Sequence, residues 1–302
     1  MSICLMTNDV ETTSIINGGL RVETGEIVAR EGMPALLDLY ARYNIKATFF
    51  YIARYARRCP EIVRMAYEAG HEVAVHGLTH DHNLAYDVMS LEQQIDHLSQ
   101  AKAILEDIIG DEVVSFRSPA LRVNEFTPQA LIETGFKFDS SVAPQRLDMF
   151  MSLGSKKKLA WLNAPRDPYY VSENNLARKG ETNLIEVPVS SFALPYIGTF
   201  MRISPVLTHL VRRLLLSETH DTTRPINFLI HPNELILEED LHLKTERRAS
   251  SYISYLLSDV LRHKLKLKNL GPKAIDLFEN EIKFWIEHEY QFKRVKDIVV
   301  SK

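Results

Sequence analysis

The stretch His71-Glu72-Val73-Ala74-Val75-His76-Gly77-Leu78-Thr79-His80 decides how this chain is read. Its first six residues read as a buried β-strand. That strand delivers two imidazoles, four positions apart, into the polar turn Asp81-His82-Asn83. Side chains at this spacing can point the same way on a helical turn or on a loop entering one. Neutral imidazole is the commonest transition-metal ligand, which makes His76 and His80 a candidate pair of metal ligands. Gly77 stands where a helix-borne His-Glu-x-x-His site carries its glutamate, so a third ligand and a base have to come from elsewhere.

Outward from this stretch, strand-like runs alternate with helical ones. Ile3-Cys4-Leu5-Met6 opens the first strand and leads to Thr7-Asn8-Asp9-Val10-Glu11, where Asp9 and Glu11 share a side if the extended geometry persists. Further strands are expected at 47–52, 71–76, 113–116, 136–141, 184–189 and 226–230; the last ends in His231-Pro232. Helices are expected at 33–43, 60–69, 90–109 and 127–134, with Ser90 and Gln93 forming a capping box. Ile203 to Leu215 carries a further apolar stripe. The stretch 17–32 reads as a polar, Gly-rich connection, and 144–183 as a long surface excursion containing Lys156-Lys157-Lys158, Trp161, Tyr169 and Tyr170. Past residue 235 the chain is charged and helical. There Ile275, Phe278, Ile282, Trp285 and Ile286 fall on one face, and 292–300 reads as a terminal packing segment. The alternation predicts an α/β fold with a parallel sheet or barrel.

The chain has 302 residues, enough for a large core, and its 36 Lys+Arg against 39 Asp+Glu provide no bulk attraction to nucleic acid. Two cysteines, Cys4 and Cys59, make no disulfide framework and suit a reducing compartment. No secretory leader or apolar run of about 18 residues is evident, so the expectation is a cytoplasmic protein, at or near the inner membrane surface. The Ile203–Leu215 stripe and the basic run 262–268 read as a barrel helix and a solvated face, with peripheral membrane contact as the alternative.

Polar residues follow the strands: Asp9 and Glu11, His76 and His80, Arg117, Asp139, and His231. In a closed parallel barrel the C-terminal strand ends meet in one site, so these clusters are expected to converge.

In this order the motifs resemble the polysaccharide deacetylases, the carbohydrate esterase group that includes chitin, peptidoglycan and chitooligosaccharide N-deacetylases. The resemblance rests on Ala47-Thr48-Phe49-Phe50, Gly70-His71-Glu72, His76 through His80, Phe116-Arg117-Ser118-Pro119-Ala120, Gly135-Phe136 through Asp139-Ser140-Ser141-Val142, and Leu229-Ile230-His231-Pro232. It implies a distorted (β/α) barrel of about seven parallel strands over 1–235, with 236–302 as a helical C-terminal extension packed on the same domain. It also implies a divalent metal, usually zinc, with cobalt or iron(II) as alternatives.

By that resemblance Asp9 is the general base, oriented by Arg117, and His231 is the general acid, tuned by Asp139. Glu11, His76 and His80 hold the metal. The usual first motif has adjacent aspartates, but here Val10 follows Asp9, so the ligand role passes to Glu11; if Glu11 faces away, Asp9 becomes the ligand. A backbone N–H near Pro119 and Ala120 is expected to complete an oxyanion hole, and Tyr169 and Tyr170 are either sugar-stacking residues or anchors of the excursion. His71 reads as a core residue and His82 as a loop residue. The implied activity is removal of an N-acyl group, most simply acetyl, from an amino sugar of a cell-surface polysaccharide or its lipid-linked precursor. The alternatives are a deformylase on a lipid-linked formamido sugar and an inactive saccharide-binding barrel.

Overall fold

Strand β1 (Ile3–Val10) is the longest strand and the one around which the sheet is laid. After it come β2 (Thr48–Tyr51), β3 (Glu72–Val75), β4 (Ser115–Phe116), β5 (Phe138–Asp139), β6 (Tyr169–Ser172), β7 (Asn175–Lys179) and β8 (Ile185–Glu186). The small hairpin β9 (Ser191–Phe192) and β10 (Leu194–Pro195) precedes β11 (Ile226–Ile230) and β12 (Gln291–Lys293). The helices are α1 (Val22–Ile27), α2 (Met33–Arg42), α3 (Ala53–Arg58), α4 (Pro60–Glu68), α5 (Leu91–Ile109), α6 (Thr127–Glu133), α7 (Gly198–Ile203), α8 (Pro205–Thr219), α9 (Arg262–Lys266) and α10 (Pro272–Glu287). This computed structural model describes residues 2–16, 19–144, 161–238 and 262–300.

Seven strands run parallel in the order β11-β1-β2-β3-β4-β5-β8, the expected barrel strands. The seam between β8 and β11 is bridged beyond the end of β8. Ser190 N–H donates to Asn227 O at 3.0 Å, and Asn227 Nδ2 donates to Val187 O at 3.1 Å. The curled sheet has a small interior and a large exterior core. Leu5, Phe50, Ala74, Val114, Phe138, Ile185 and Val187 pack inside it. Cys4, Met6, Val10, Phe49 and Tyr51, the alternate positions on the same strands, face the helices.

The C-terminal segment is built into this core. Strand β12 pairs in parallel with β1, and Val295 and Ile298 join the interior cluster. Val295 N–H donates to Thr48 Oγ1 at 2.9 Å and Lys296 N–H to Glu72 Oε2 at 3.1 Å, which closes the N-terminal end of the barrel. On α10, Phe278 stacks on Phe228 with centroids 5.5 Å apart, and Trp285 Nε1 donates to the Tyr196 hydroxyl at 2.8 Å. Residues 239–261 of the expected extension lie outside the described residues, as do Lys156–Lys158.

Three expectations are corrected. The connection 17–32 contains α1, which runs through a π-helical turn (Val28–Gly32) into α2, because Tyr55 Oη holds the Gly25 carbonyl at 2.6 Å and docks the turn on α3. Helix α3 was not expected at all. The excursion carries the β6–β7 hairpin, with β6 antiparallel to β8. Among the described residues no helix is long and apolar enough to cross a membrane.

If α10 is part of the barrel core, Phe278→Ala lowers the unfolding free energy by about 3–5 kcal/mol in denaturant titration. A loss under about 1 kcal/mol would place α10 outside the cooperative unit.

Candidate active site

Period-two alternation along β1 builds one wall of the site. Leu5, Thr7 and Asp9 turn inward, while Val10 is fully buried in the outer core. An acidic residue at position 10 would therefore face the helices, whereas Glu11 returns to the interior side. Glu11 Oε2 lies 2.9 Å from His80 Nε2.

His76 leaves β3 fully buried, and its Nδ1 bonds the Arg117 carbonyl at 2.9 Å. That bond places the proton on Nδ1 and leaves Nε2 as the donor atom, a common arrangement for metal-ligating histidines. Gly77 then turns the chain at φ +87°, with the Pro119 ring 3.1 Å from where a Cβ would stand. His80 comes back over the barrel mouth, its ring centroid 5.9 Å from that of His76.

One donor atom each from Glu11, His76 and His80 lies within 4.8 Å of the others. The buried Glu11 Oε2 accepts no directed hydrogen bond despite its closeness to His80. A buried carboxylate oxygen facing two imidazole nitrogens suits a divalent cation of the zinc, cobalt or iron(II) kind. The set fits a metal.

Asp9 stands beside this set. Arg117 Nη1 donates to Asp9 Oδ1 at 2.8 Å, which leaves Oδ2 turned to the site, 3.7 Å from His76 Nε2 and 4.0 Å from His231 Nε2. Burial raises the Asp9 pKa, but the charges of Arg117, His76 and His231 outweigh it and hold the carboxyl below its usual range. For Glu11 burial again opposes, and the neighbouring His80 charge brings the carboxyl far down.

His231 follows β11 and keeps 23% of its side chain exposed, enough to meet a substrate. Its Nδ1–H donates to Glu234 Oε1 at 3.0 Å. Burial would lower this imidazole, yet the bond to and charge of Glu234, with Glu11 and Asp9 adding to them, raise it to about 9. Glu234 was missed in the sequence reading. The signal was the i,i+3 spacing behind Pro232, which starts the short helical turn Pro232–Leu235 and sets the carboxylate under the ring.

Asp139 is not the partner of His231. Its Oδ1 accepts from Ser141 Oγ at 2.6 Å, and Ser141 Oγ in turn accepts from Ser118 N–H, so Asp139 braces the turn after Arg117. Beside it Glu186 is fully buried, and burial followed by the Asp139 charge raises the Glu186 pKa well above the ordinary value. Tyr169 is 2% exposed and donates to Leu176 O inside the hairpin, and Tyr170 packs on the interior cluster with Ile3 and Val300. Of the two readings, the anchor role matches their places. Pro119 is buried against Gly77; Ala120 is exposed in the left-handed region at φ 52°. His71 is buried, its Nδ1 accepts from Ala47 N–H at 3.0 Å, and burial lowers its pKa to about 4, as befits a core residue. His82 is exposed, with its ring 6.2 Å from that of His80.

Residues 19–138 match the polysaccharide deacetylase domain, the stretch that contains both histidines, Arg117 and Pro119. Over that segment the chain is similar to the polysaccharide deacetylases. It is 27% identical over 171 residues to a peptidoglycan deacetylase of Helicobacter pylori, 56% of each chain. It is 37% identical over 68 residues to a chitooligosaccharide deacetylase of Sinorhizobium fredii, 22% of this chain and 32% of that one. The match thus spans about half the length of the first relative and a third of the second. The fold is shared with a structure described as a probable polysaccharide deacetylase from Pseudomonas aeruginosa PAO1, at a TM-score of 0.60 and 17% identity, covering 97% of this chain and 89% of that one. The Puue allantoinase superposes at 0.62 with 17% identity, covering 97% and 88%.

The Glu186 carboxyl, raised by burial, stabilises the fold below its ordinary value near 4.5, and that stability is lost as pH rises through the raised value. Glu186→Gln keeps an acceptor for Val142 N–H and removes the ionisation. Its melting temperature relative to the parent therefore climbs as the pH is raised from the ordinary carboxylate value toward alkaline pH. A difference that does not change over this range would contradict the assignment.

Proposed function

We propose that this protein hydrolyses an N-acyl group, most simply acetyl, from an amino sugar, using a divalent metal of the zinc class held by Glu11, His76 and His80. The observation that carries the reading is the flanking of that donor set by two groups of opposite proton affinity. Asp9 Oδ2 is the acceptor and His231 Nε2 the donor, 4.0 Å apart. The peptidoglycan and chitooligosaccharide deacetylases among its relatives support an N-acetylated saccharide as substrate. A lipid-linked or growing cell-surface saccharide is the natural setting for such a reaction. An inactive saccharide-binding barrel would have no use for both proton-transfer groups.

A metal bound by these three side chains would act as a Lewis acid on the amide oxygen and lower the pKa of the attacking water. Asp9 takes the water proton on Oδ2, and Arg117 holds Oδ1 so that the free oxygen stays aimed at the site. His231 enters protonated and gives its Nε2 proton to the departing nitrogen as the C–N bond breaks. The carboxylic acid and the free amine leave with one water consumed, and passage of the Asp9 proton back to His231 restores the starting states.

Asp9→Asn is expected to lower acetate release by about 10²–10⁴-fold while bound zinc, measured by elemental analysis, stays at the parental level. Glu11→Gln instead lowers the zinc content. The opposite pattern would exchange the two roles. Measuring acetate against formate from N-acetyl and N-formyl amino sugars decides the acyl group, and loss of formate alone would replace deacetylation by deformylation.

A further inference from the structure

The carboxylate under His231 is itself held on every side. Thr199 Oγ1 donates to Glu234 Oε1 at 2.7 Å, and Arg202 Nε donates to Oε2 at 2.9 Å. Arg202, 1% exposed, sends its Nη1 to the backbone carbonyls of Lys266 and Lys268, each at 2.8 Å. Asn269 Nδ2 donates to Arg202 O, and Gly271 N–H to Glu234 O. At the start of α7 the chain passes so close that a Cβ on Gly198 would stand 2.6 Å from Glu234 Oε2. An unbroken path thus runs from the imidazole through Glu234 and Arg202 to residues 266–271, beyond the last barrel strand.

Stability does not account for this path. Burying an arginine–glutamate pair costs desolvation, and well-packed apolar residues commonly replace such a pair without loss. Apolar residues, however, leave Nδ1 without an anionic acceptor. A fixed carboxylate there decides which ring nitrogen carries the proton and where the other one points.

We propose that Glu234, backed by Arg202 and the carbonyls of Lys266 and Lys268, is the positioning residue of His231, so that the C-terminal segment belongs to the catalytic apparatus and Asp139 does not. The inference rests on reading His231 as the proton donor. The groups facing the ring are Glu234 at Nδ1 and Asp9 at Nε2, and the charges of Glu11 and His80 also act on it.

The test is nitrogen-15 NMR of the zinc-loaded full chain, with His231 assigned by its absence in His231→Gln, alongside steady-state kinetics. In the unmutated protein His231 should show an Nδ1–H proton hydrogen-bonded to Glu234, and the titration of the ring is followed beside it. Glu234→Gln should bring that titration down by more than about 1 pH unit and lower kcat about 10- to 100-fold with KM within about twofold. Asp139→Asn should leave the His231 signals in place. Absence of a hydrogen-bonded Nδ1–H on His231 in the unmutated protein would overturn the proposal even if Glu234→Gln fails to fold. So would an Asp139→Asn shift as large as that of Glu234→Gln. Should the unmutated protein release no acyl group while the ring behaves as expected, the reaction assignment falls and the positioning role stands.

Discussion

Arg117 is the interaction on which the rest of the site depends. It is fully buried, with its guanidinium 4.3 Å from the Phe50 ring centroid. Its Nε and Nη2 donate to the backbone carbonyl and hydroxyl of Ser140, and its Nη1 to Thr7 Oγ1 and Asp9 Oδ1. Those bonds tie the ends of three strands together around one charge. Its own carbonyl fixes Nδ1 of His76. One residue therefore orients the proposed base with its side chain and a proposed metal ligand with its backbone. A buried cation is costly unless each donor is satisfied, so this geometry tolerates little displacement.

Around that residue the chemistry is divided by environment. Asp9 and Glu11 sit two residues apart on one wall and face different partners, Arg117 for the first and His80 for the second. His231 is the more exposed member and carries its own carboxylate, which raises its pKa, whereas burial lowers that of His76. Separation of proton affinities among neighbours is what acid–base chemistry near neutral pH requires.

Much of this was legible in the chain itself. The strand exits carry the chemistry, and a period of two explains why Val10 could stand between two site carboxylates. The seven parallel strands were read from short β-branched and aromatic runs between helical stripes. What escaped was set by contacts distant in sequence. Helix α1 is docked by Tyr55 from another element, against the loop-like look of the glycines in the stretch 17–32. Tyr169 and Tyr170 alternate as strand residues do, but the surrounding prolines and charges hid the hairpin. Asp139 follows a strand and so looked like a partner for His231. Ser141 takes one of its oxygens, and the acid three residues past His231 is the one bonded to the imidazole.

Anomalous diffraction from zinc-loaded crystals tests the central assignment most directly. The account predicts one strong peak bound by Glu11, His76 Nε2 and His80, with Asp9 outside its ligand shell and still paired to Arg117. A peak bound by Asp9 with Glu11 turned away, or no peak at the His76–His80 pair, would contradict it.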